Sequence, residues 1–504
     1  MRHLHALPVS ALVLLLVAAT ACEPDSSGQA AGERQSMEVT MVLPVTTSSQ
    51  EARQHFLAGQ HALDMGRPRL ARPHFEKAVE LDPDFALAHR NLVFTGTSLR
   101  ASLAALDRAS AAKGKVSPPE RLLIEITEAF RENDAERQHT LAQELVEMHP
   151  ESPRAWTTLA GVQAGMSRTG EARASLRRAV ETSPGFAAAQ IQLANSYLLA
   201  EPHDMTAAET AVRRAIELVP DEPTPHDLLG DVHRMRGELE EAGAAYSRAA
   251  ELDPENALPL QQRGHVHSFL GDWEQARRDY DAAITLGMDD EPATFAVFRA
   301  FVNVHAGEPE AAIRELDELL ARIDGMGLPD PRGGRIFALT SQAQIALHEG
   351  MLDEAERILS DRAELLRANA GEVGTDEARR DTEATILEWE ARLAARRGQY
   401  DAAKGKLGEA MTLREPIHDP TKNDDAHEVM GLVSLLQGQY GEAAAHYEQG
   451  DRDDIYANFH HALALEGAGR TEEAQRLFRK VAEWRFNDLG LALTRGDARE
   501  KISA

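Results

Sequence analysis

The chain has 504 residues, with 54 Lys+Arg against 82 Asp+Glu and a formal net charge of −28 at pH 7. A single compact core stops growing near ~250–300 residues, so several domains or one elongated repeat array must be present, and a hydrophobic fraction of 43% rules out global disorder. The acidity excludes a nucleic-acid-binding body and docking of the folded part on anionic lipid, both of which need clustered Lys/Arg, and an aromatic fraction of only 5% leaves an interior of Ala, Leu and Val that suits close helix packing.

Met1-Arg2-His3 makes a positive start, and residues 7–19 are apolar apart from Pro8 and Ser10. That stretch is shorter than the ~20 apolar residues a membrane-spanning helix needs. Ala19-Thr20-Ala21 before Cys22 has two readings that cut at the same bond. One is the small-x-small site of an ordinary secretory signal. In the other it resembles the lipobox of bacterial lipoproteins, whose cysteine is lipidated and becomes residue one. Cys22 is the only cysteine in the chain and stands where the lipid would go, which favours the lipobox, although Ala19 departs from the Leu preferred there. The expectation is a lipoprotein signal peptide over 1–21 and lipidation of Cys22. No thiol or disulfide then remains, and stability must come from packing alone. Residues 22–47 are rich in Ser, Gly, Glu, Gln and Thr without a sustained period. They read as a flexible tether holding the body roughly 25–30 Å from the membrane.

From Ser48 onward the chain repeats. Gly230 returns as Gly264, Gly237 as Gly271, Ala242 as Ala276, Tyr246 as Tyr280 and Ala249 as Ala283, each after 34 residues, and Pro150, Pro184, Pro220 and Pro254 keep nearly the same beat. A period of this length marks one supersecondary unit per repeat. The physical reading is a pair of antiparallel helices: Gly230 and Gly264 allow close approach, Gly237 and Gly271 end the first helix, the tyrosines fill the space between helices, and Pro254 stops the second. No pair can bury both its faces alone, so the pairs stack and curl into a superhelix with an inner groove. Ser48 with Glu51 reads as a capping box opening the first helix. The well-formed array runs over 48–324, although 87–116 has poor anchors. Residues 325–334 read as a loop by composition, as do 370–374 and 416–425. A divergent array occupies 335–488, and 489–504 is a final capping helix with Arg and Lys on its outer side.

The repeat residues closely resemble the tetratricopeptide repeat family. The small/large signature stands as Leu229, Gly230, Ala242, Tyr246, Ala249 and Pro254, earlier as Ala58, Gly59, Ala62, Ala71, Phe75, Ala78 and Pro83, and again as Trp156, Leu159, Ala160, Ala172, Leu176, Ala179 and Pro184. The resemblance implies an all-α fold, a right-handed superhelical solenoid of about twelve helix hairpins, in which the first helix of each pair lines the groove. Carried over by repeat position, the groove-lining residues are Arg90 and Phe94, Ile191 and Asn195, Asp227, Asp231 and Arg234, and Gln261 and His265. Asn195 offers a donor and an acceptor to an extended peptide. Asp227, Asp231 and Arg234, at i, i+4 and i+7, read equally well as an ion network within one helix. The carboxylate clamp of chaperone-binding members is not expected, because Phe56 and Gln60 stand where the first repeat would need basic and Asn residues. The stretch 484–490 (WRFNDLG) resembles tails of other bacterial proteins of this repeat class, with no activity attached.

Motifs that carry chemistry are missing. There is no G-x-x-x-x-G-K-[ST], H-E-x-x-H or G-x-S-x-G, and one cysteine permits no thiolate zinc site. Ser110-Ala-Ala-Lys113 matches S-x-x-K without its partner motifs. Of the 20 histidines, His265 and His267 are two apart and His460 and His461 adjacent, so neither pair shares a helical face. No catalytic residue, metal site or cofactor is expected. The expected function is a non-enzymatic scaffold, exported and lipid-anchored in a bacterial envelope at the periplasmic face of the outer membrane or the cell surface. It would hold an unknown protein or extended peptide in the groove, with envelope assembly, secretion or pilus biogenesis suggested by analogy alone. The alternatives are a periplasmic enzyme or enzyme activator with its function in the irregular 325–425 region, and a ligand-sensing module.

Overall fold

The structure, a computed structural model, describes residues 43–503 except 97, 288–290 and 486. The signal peptide and Cys22 lie outside the described residues. Among the described residues there are 25 α-helices, two short 3-10 turns and no strand. The helices pair into twelve hairpins, the first being Gln50–Asp64 with Pro68–Leu81, and a single helix, Leu489–Ser503, follows the last. This is the all-α repeat architecture that the 34-residue beat implies.

The interlock within a hairpin is visible at the glycines. A Cβ on Gly230 would come within 2.5 Å of the Tyr246 ring, and one on Gly264 within 2.9 Å of the Tyr280 ring. Both tyrosines are fully buried, so the glycines are there for lack of a side chain. Gly237 and Gly271 follow their helices at φ +80° and +78°, the left-handed region that glycine enters without steric cost.

The chain divides into two compact units, one of residues 43–232 and 241–259 and one of residues 233–240 and 260–503. In the N-terminal unit the stack curls back on itself. Arg67, after the first helix, is ion-paired to Glu222 at 3.0 Å and to Asp253 at 2.9 Å, and Thr224 Oγ1 donates to the Met65 carbonyl at 2.8 Å. Residues 43–47, expected at the end of the tether, are bonded to the repeats instead. Leu43 is buried. Thr46 donates through its amide and its hydroxyl to the Glu120 carboxylate (2.6 and 2.5 Å), and Thr47 Oγ1 donates to Asp82 at 2.5 Å. Glu120 is fully buried, and a buried carboxylate needs such donors. The helix cap also shifts by one residue. Ser49, not Ser48, accepts from the Ala52 amide at 3.1 Å, because Thr47 holds the Ser49 amide at 3.2 Å. The capping box stands instead at Ser117 and Glu120.

Two expected loops are partly helical, and the poorly anchored stretch 87–116 is regular. Residues 87–116 form a full hairpin, Ala86–Thr95 with Leu99–Ala112. Its anchor is Ser102, whose hydroxyl donates to the Val93 carbonyl at 2.9 Å. The expected 325–334 loop shrinks, since a 3-10 turn covers Ile323–Met326 and a helix opens at Arg332. Gly333 and Gly334 are inside that helix, and a Cβ at Gly334 would meet the Ala293 Cβ at 2.6 Å. Helix Leu352–Val373 runs through Ala370-Gly371 and stops only at Gly374, φ +77°. In the C-terminal unit the last helix is no outer cap. Leu489 and Leu493 join the core of Val297, Phe301, Leu316, Leu339 and Trp389, while Leu491 and Ala498 join that of Phe459 and Phe478. Arg495, expected outside, is buried with its guanidinium 5.1 Å from the Phe269 ring centre.

Candidate functional site: the groove positions of the two units

In the N-terminal unit Arg90, one of the residues expected to line a groove, belongs to a polar chain that crosses from helix to helix. Arg90 Nε donates to Thr127 Oγ1 at 3.1 Å and its Nη1 to Asn91 Oδ1 at 3.1 Å. Asn91 Nδ2 donates to Gln60 Oε1 at 2.9 Å, and Gln60 Nε2 to Asp64 Oδ1 at 2.8 Å. Asp64 is held by Arg154 in a two-point pair, 2.8 and 2.6 Å. The Arg90 guanidinium lies 4.7 Å from the Phe94 ring centre, and both residues are half-buried. Among the described residues no carboxylate pairs with Arg90. Burial, with the Arg154 charge adding, lowers its pKa to about 10, which still leaves it cationic at neutral pH.

Ile191 is buried. Asn195 is half-buried, and its Oδ1 is shut off from solvent and accepts no hydrogen bond among the described residues. A buried acceptor without a donor costs about 1–3 kcal/mol, which a bound donor would return. Asp227 and Asp231 are buried, and Asp231 accepts from the Tyr246 hydroxyl at 2.7 Å.

In the C-terminal unit the residues expected at the groove contact a segment near the end of the chain. Arg234 is completely buried and donates to the Arg485 carbonyl. Asn487, also buried, donates through Nδ2 to His265 Nδ1 at 2.8 Å and to the Tyr280 oxygen at 3.2 Å, and its Oδ1 accepts from His305 Nε2 at 2.9 Å. His265 Nδ1 also lies 2.5 Å from the Tyr280 hydroxyl, and Gln261 reaches the His265 Nε2 at 3.3 Å. Burial drives both imidazoles to the neutral form. It lowers His265 well below the ordinary value, with the Arg234 charge adding, and takes His305 to about 4 against the opposing hydrogen bond from Asn487. Arg234, Gln261 and His265 are thus brought together around Arg485 and Asn487. Asn487, Tyr280 and His305 were not singled out as site residues; the resemblance of 484–490 to other tails was the one signal that could have found Asn487.

The 325–425 region consists mostly of two helical hairpins, Arg332–His348 with Leu352–Val373 and Asp376–Arg396 with Tyr400–Arg414, so the irregularity that made it the alternative site is largely gone. Its buried charges serve one another. Arg414 is ion-paired to Glu388 and, at 2.7 Å, to Asp381. Burial raises Glu388 to about 7 in spite of Arg414. Arg362 donates to Thr340 Oγ1 at 2.7 Å and packs 4.8 Å from the Trp389 ring centre.

The tetratricopeptide repeat family pattern matches residues 56–93, 193–257 and 262–326. No curated protein sequence matches the chain. Among solved structures, a tetratricopeptide repeat protein from Parabacteroides merdae ATCC 43184 aligns over 55% of this chain and 98% of its own, at 19% identity and a TM-score of 0.33. TTC0263, a thermophilic protein of the same repeat type from Thermus thermophilus, aligns over 40% and 99%, at 17% and 0.31. MamA aligns over 34% and 95%, at 18% and 0.29. The matched stretches, which fall on helix hairpins of both units, are tetratricopeptide repeats.

Proposed function

We propose that this protein is a non-catalytic interaction scaffold that holds an extended segment of a partner protein on the inner face of its N-terminal unit. The observation that carries the reading is the pairing, on one set of groove positions, of Arg90, a cation without a carboxylate, with Asn195, whose Oδ1 accepts nothing. An extended peptide supplies what both lack, since its backbone N–H can donate to Asn195 and its carbonyls or acidic side chains can accept from Arg90. The corresponding positions of the C-terminal unit are supported less well as a site, since Arg485 and Asn487 already bond Arg234 and His265. Lipidation of Cys22 and residence in a bacterial envelope complete the proposal. Their support is the lone cysteine directly after Ala19-Thr20-Ala21. Envelope assembly or secretion is the pathway class suggested by analogy.

The test is site-specific photo-crosslinking in cells. A photoreactive residue at Phe94 or Asn195 should yield a discrete adduct, and one at exposed Arg213 should not. Equal adducts from all three positions, or none from the first two, would remove the reading. For the anchor, mass spectrometry of the mature N-terminus should find acylated Cys22, and a Cys22→Ala protein that stays membrane-bound would count against it.

A further inference from the structure

Two pairs of histidines, one in each unit, repeat a single arrangement. In the N-terminal unit His55 and His74 face each other across the first hairpin with Nδ1 atoms 3.2 Å apart. In the C-terminal unit His427 and His446 do the same across hairpin Asp424–Leu436 and Tyr440–Tyr447, at 3.3 Å. The ring centres are 5.5 and 5.6 Å apart, inclined at 38° and 30°. Each pair is separated by 19 residues. Each also holds the same place in its repeat. The first histidine stands four residues before a glycine, Gly59 or Gly431, and the second directly precedes the aromatic ring, Phe75 or Tyr447, that packs on that glycine. All four are half-buried and reach solvent.

Two neutral imidazoles can share one proton across such a gap. The same gap is also the ligand-to-ligand edge of a tetrahedral zinc site: with Zn–N near ~2.0–2.1 Å, two ligand nitrogens lie about 3.3 Å apart. A lone pair on each Nδ1 is what such a site needs, and the two Nδ1 atoms of each pair face each other at that separation.

We propose that each pair is a binding site for a divalent transition-metal ion of the zinc type, held by the two Nδ1 atoms, with its remaining positions left to water or to a side chain of a bound partner. Imidazole suits zinc, copper and nickel rather than magnesium or calcium. The recurrence at one repeat position sets the stoichiometry at two ions per chain. This proposal does not rest on the partner-binding reading above, because neither pair lies among Arg90, Phe94 and Asn195.

The test is equilibrium dialysis of the full chain against zinc chloride in a non-chelating buffer, with calcium chloride as the control ion. The wild type should take up two zinc ions more tightly than the background of its other histidines and carboxylates, and calcium should not displace them. His74→Gln and His446→Gln should each remove one, and the double variant both. Loss of one of two ligands should weaken a site by more than the about 10–100-fold that loss of an outer-shell partner costs. Glutamine keeps a hydrogen-bonding group beside the remaining imidazole, and melting without metal checks that the variants stay folded. A second readout is thermal: zinc should raise the wild-type melting temperature, a chelator should reverse the rise, and the double variant should not respond. Equal zinc uptake by wild type and double variant, or no saturable uptake by the wild type, would overturn the proposal and leave two proton-sharing pairs.

Discussion

Replacing Gly230 by alanine tests the packing rule on which the repeat is built. Two opposed effects decide the outcome. Alanine gains about 1 kcal/mol over glycine inside a helix. Against that, its Cβ would come within 2.5 Å of the Tyr246 ring, and overpacking a filled core costs typically 1–3 kcal/mol. Tyr246 cannot withdraw, since it is fully buried and its hydroxyl is bonded to Asp231 at 2.7 Å. The cost should therefore fall at the upper end, for a net loss of about 1–2 kcal/mol. Gly161 is the control: it lies inside helix Pro153–Gly165 with nothing within 4 Å of an added Cβ. There the same substitution should stabilise by about 0.5–1 kcal/mol. Urea unfolding followed by circular dichroism reads both as opposite shifts of the midpoint. In a Tyr246→Leu background the Gly230→Ala loss should largely vanish, as expected for two residues in contact. A Gly230→Ala protein as stable as the wild type, or an equal loss in both backgrounds, would refute the interlock.

Arg67→Met should destabilise the N-terminal unit by about 3 kcal/mol, because it leaves Asp253, whose side chain is 1% exposed, as a buried carboxylate without its cation. Burial already raises the Asp253 pKa against the pull of Arg67, so the variant's deficit should narrow as pH falls and the carboxyl becomes neutral; a deficit independent of pH would contradict this. His305 has a folded pKa of about 4 against 6.5 when free. Its neutral form is the folded one, so its contribution is complete above pH 6.5 and is lost as pH falls toward 4, to a limit of about 3 kcal/mol. Melting temperatures at pH 7.5 and 4.5 should diverge more for the wild type than for His305→Gln. Asn487→Leu should leave the His265, Tyr280 and His305 groups without their shared partner, at about 1–3 kcal/mol each, and hydrogen exchange should show Leu489–Ser503 losing protection first. Unchanged protection there would mean that the last helix is held by its leucines alone.

The 34-residue beat carried most of the fold, because glycine against tyrosine is a local pairing that recurs at one spacing. It failed where an anchor was made differently. In 87–116, where no ring anchor stands, a serine hydroxyl holds the Val93 carbonyl, and Gly334 serves helix contact and not a loop. The composition of 43–47 suggested a tether, yet a buried carboxylate 74 residues away binds Thr46. Repeat position singles out Arg90, Phe94 and Asn195, which the structure leaves half-buried. That Arg234 bonds Arg485 and His265 bonds Asn487 could not be read this way, since contacts spanning 251 and 222 residues leave no local pattern. The histidine pairs were overlooked because spacing was considered within one helix, whereas 19 residues connects the two helices of a hairpin.

The central claim is that the inner face of the N-terminal unit holds a protein partner. Affinity capture from detergent-solubilised membranes tests it most directly, with wild type compared against Arg90→Met and Asn195→Leu. The account predicts one stoichiometric partner retained by the wild type and lost from both variants, whose melting temperatures remain close to that of the wild type. The same partner retained at full stoichiometry by both variants would contradict it.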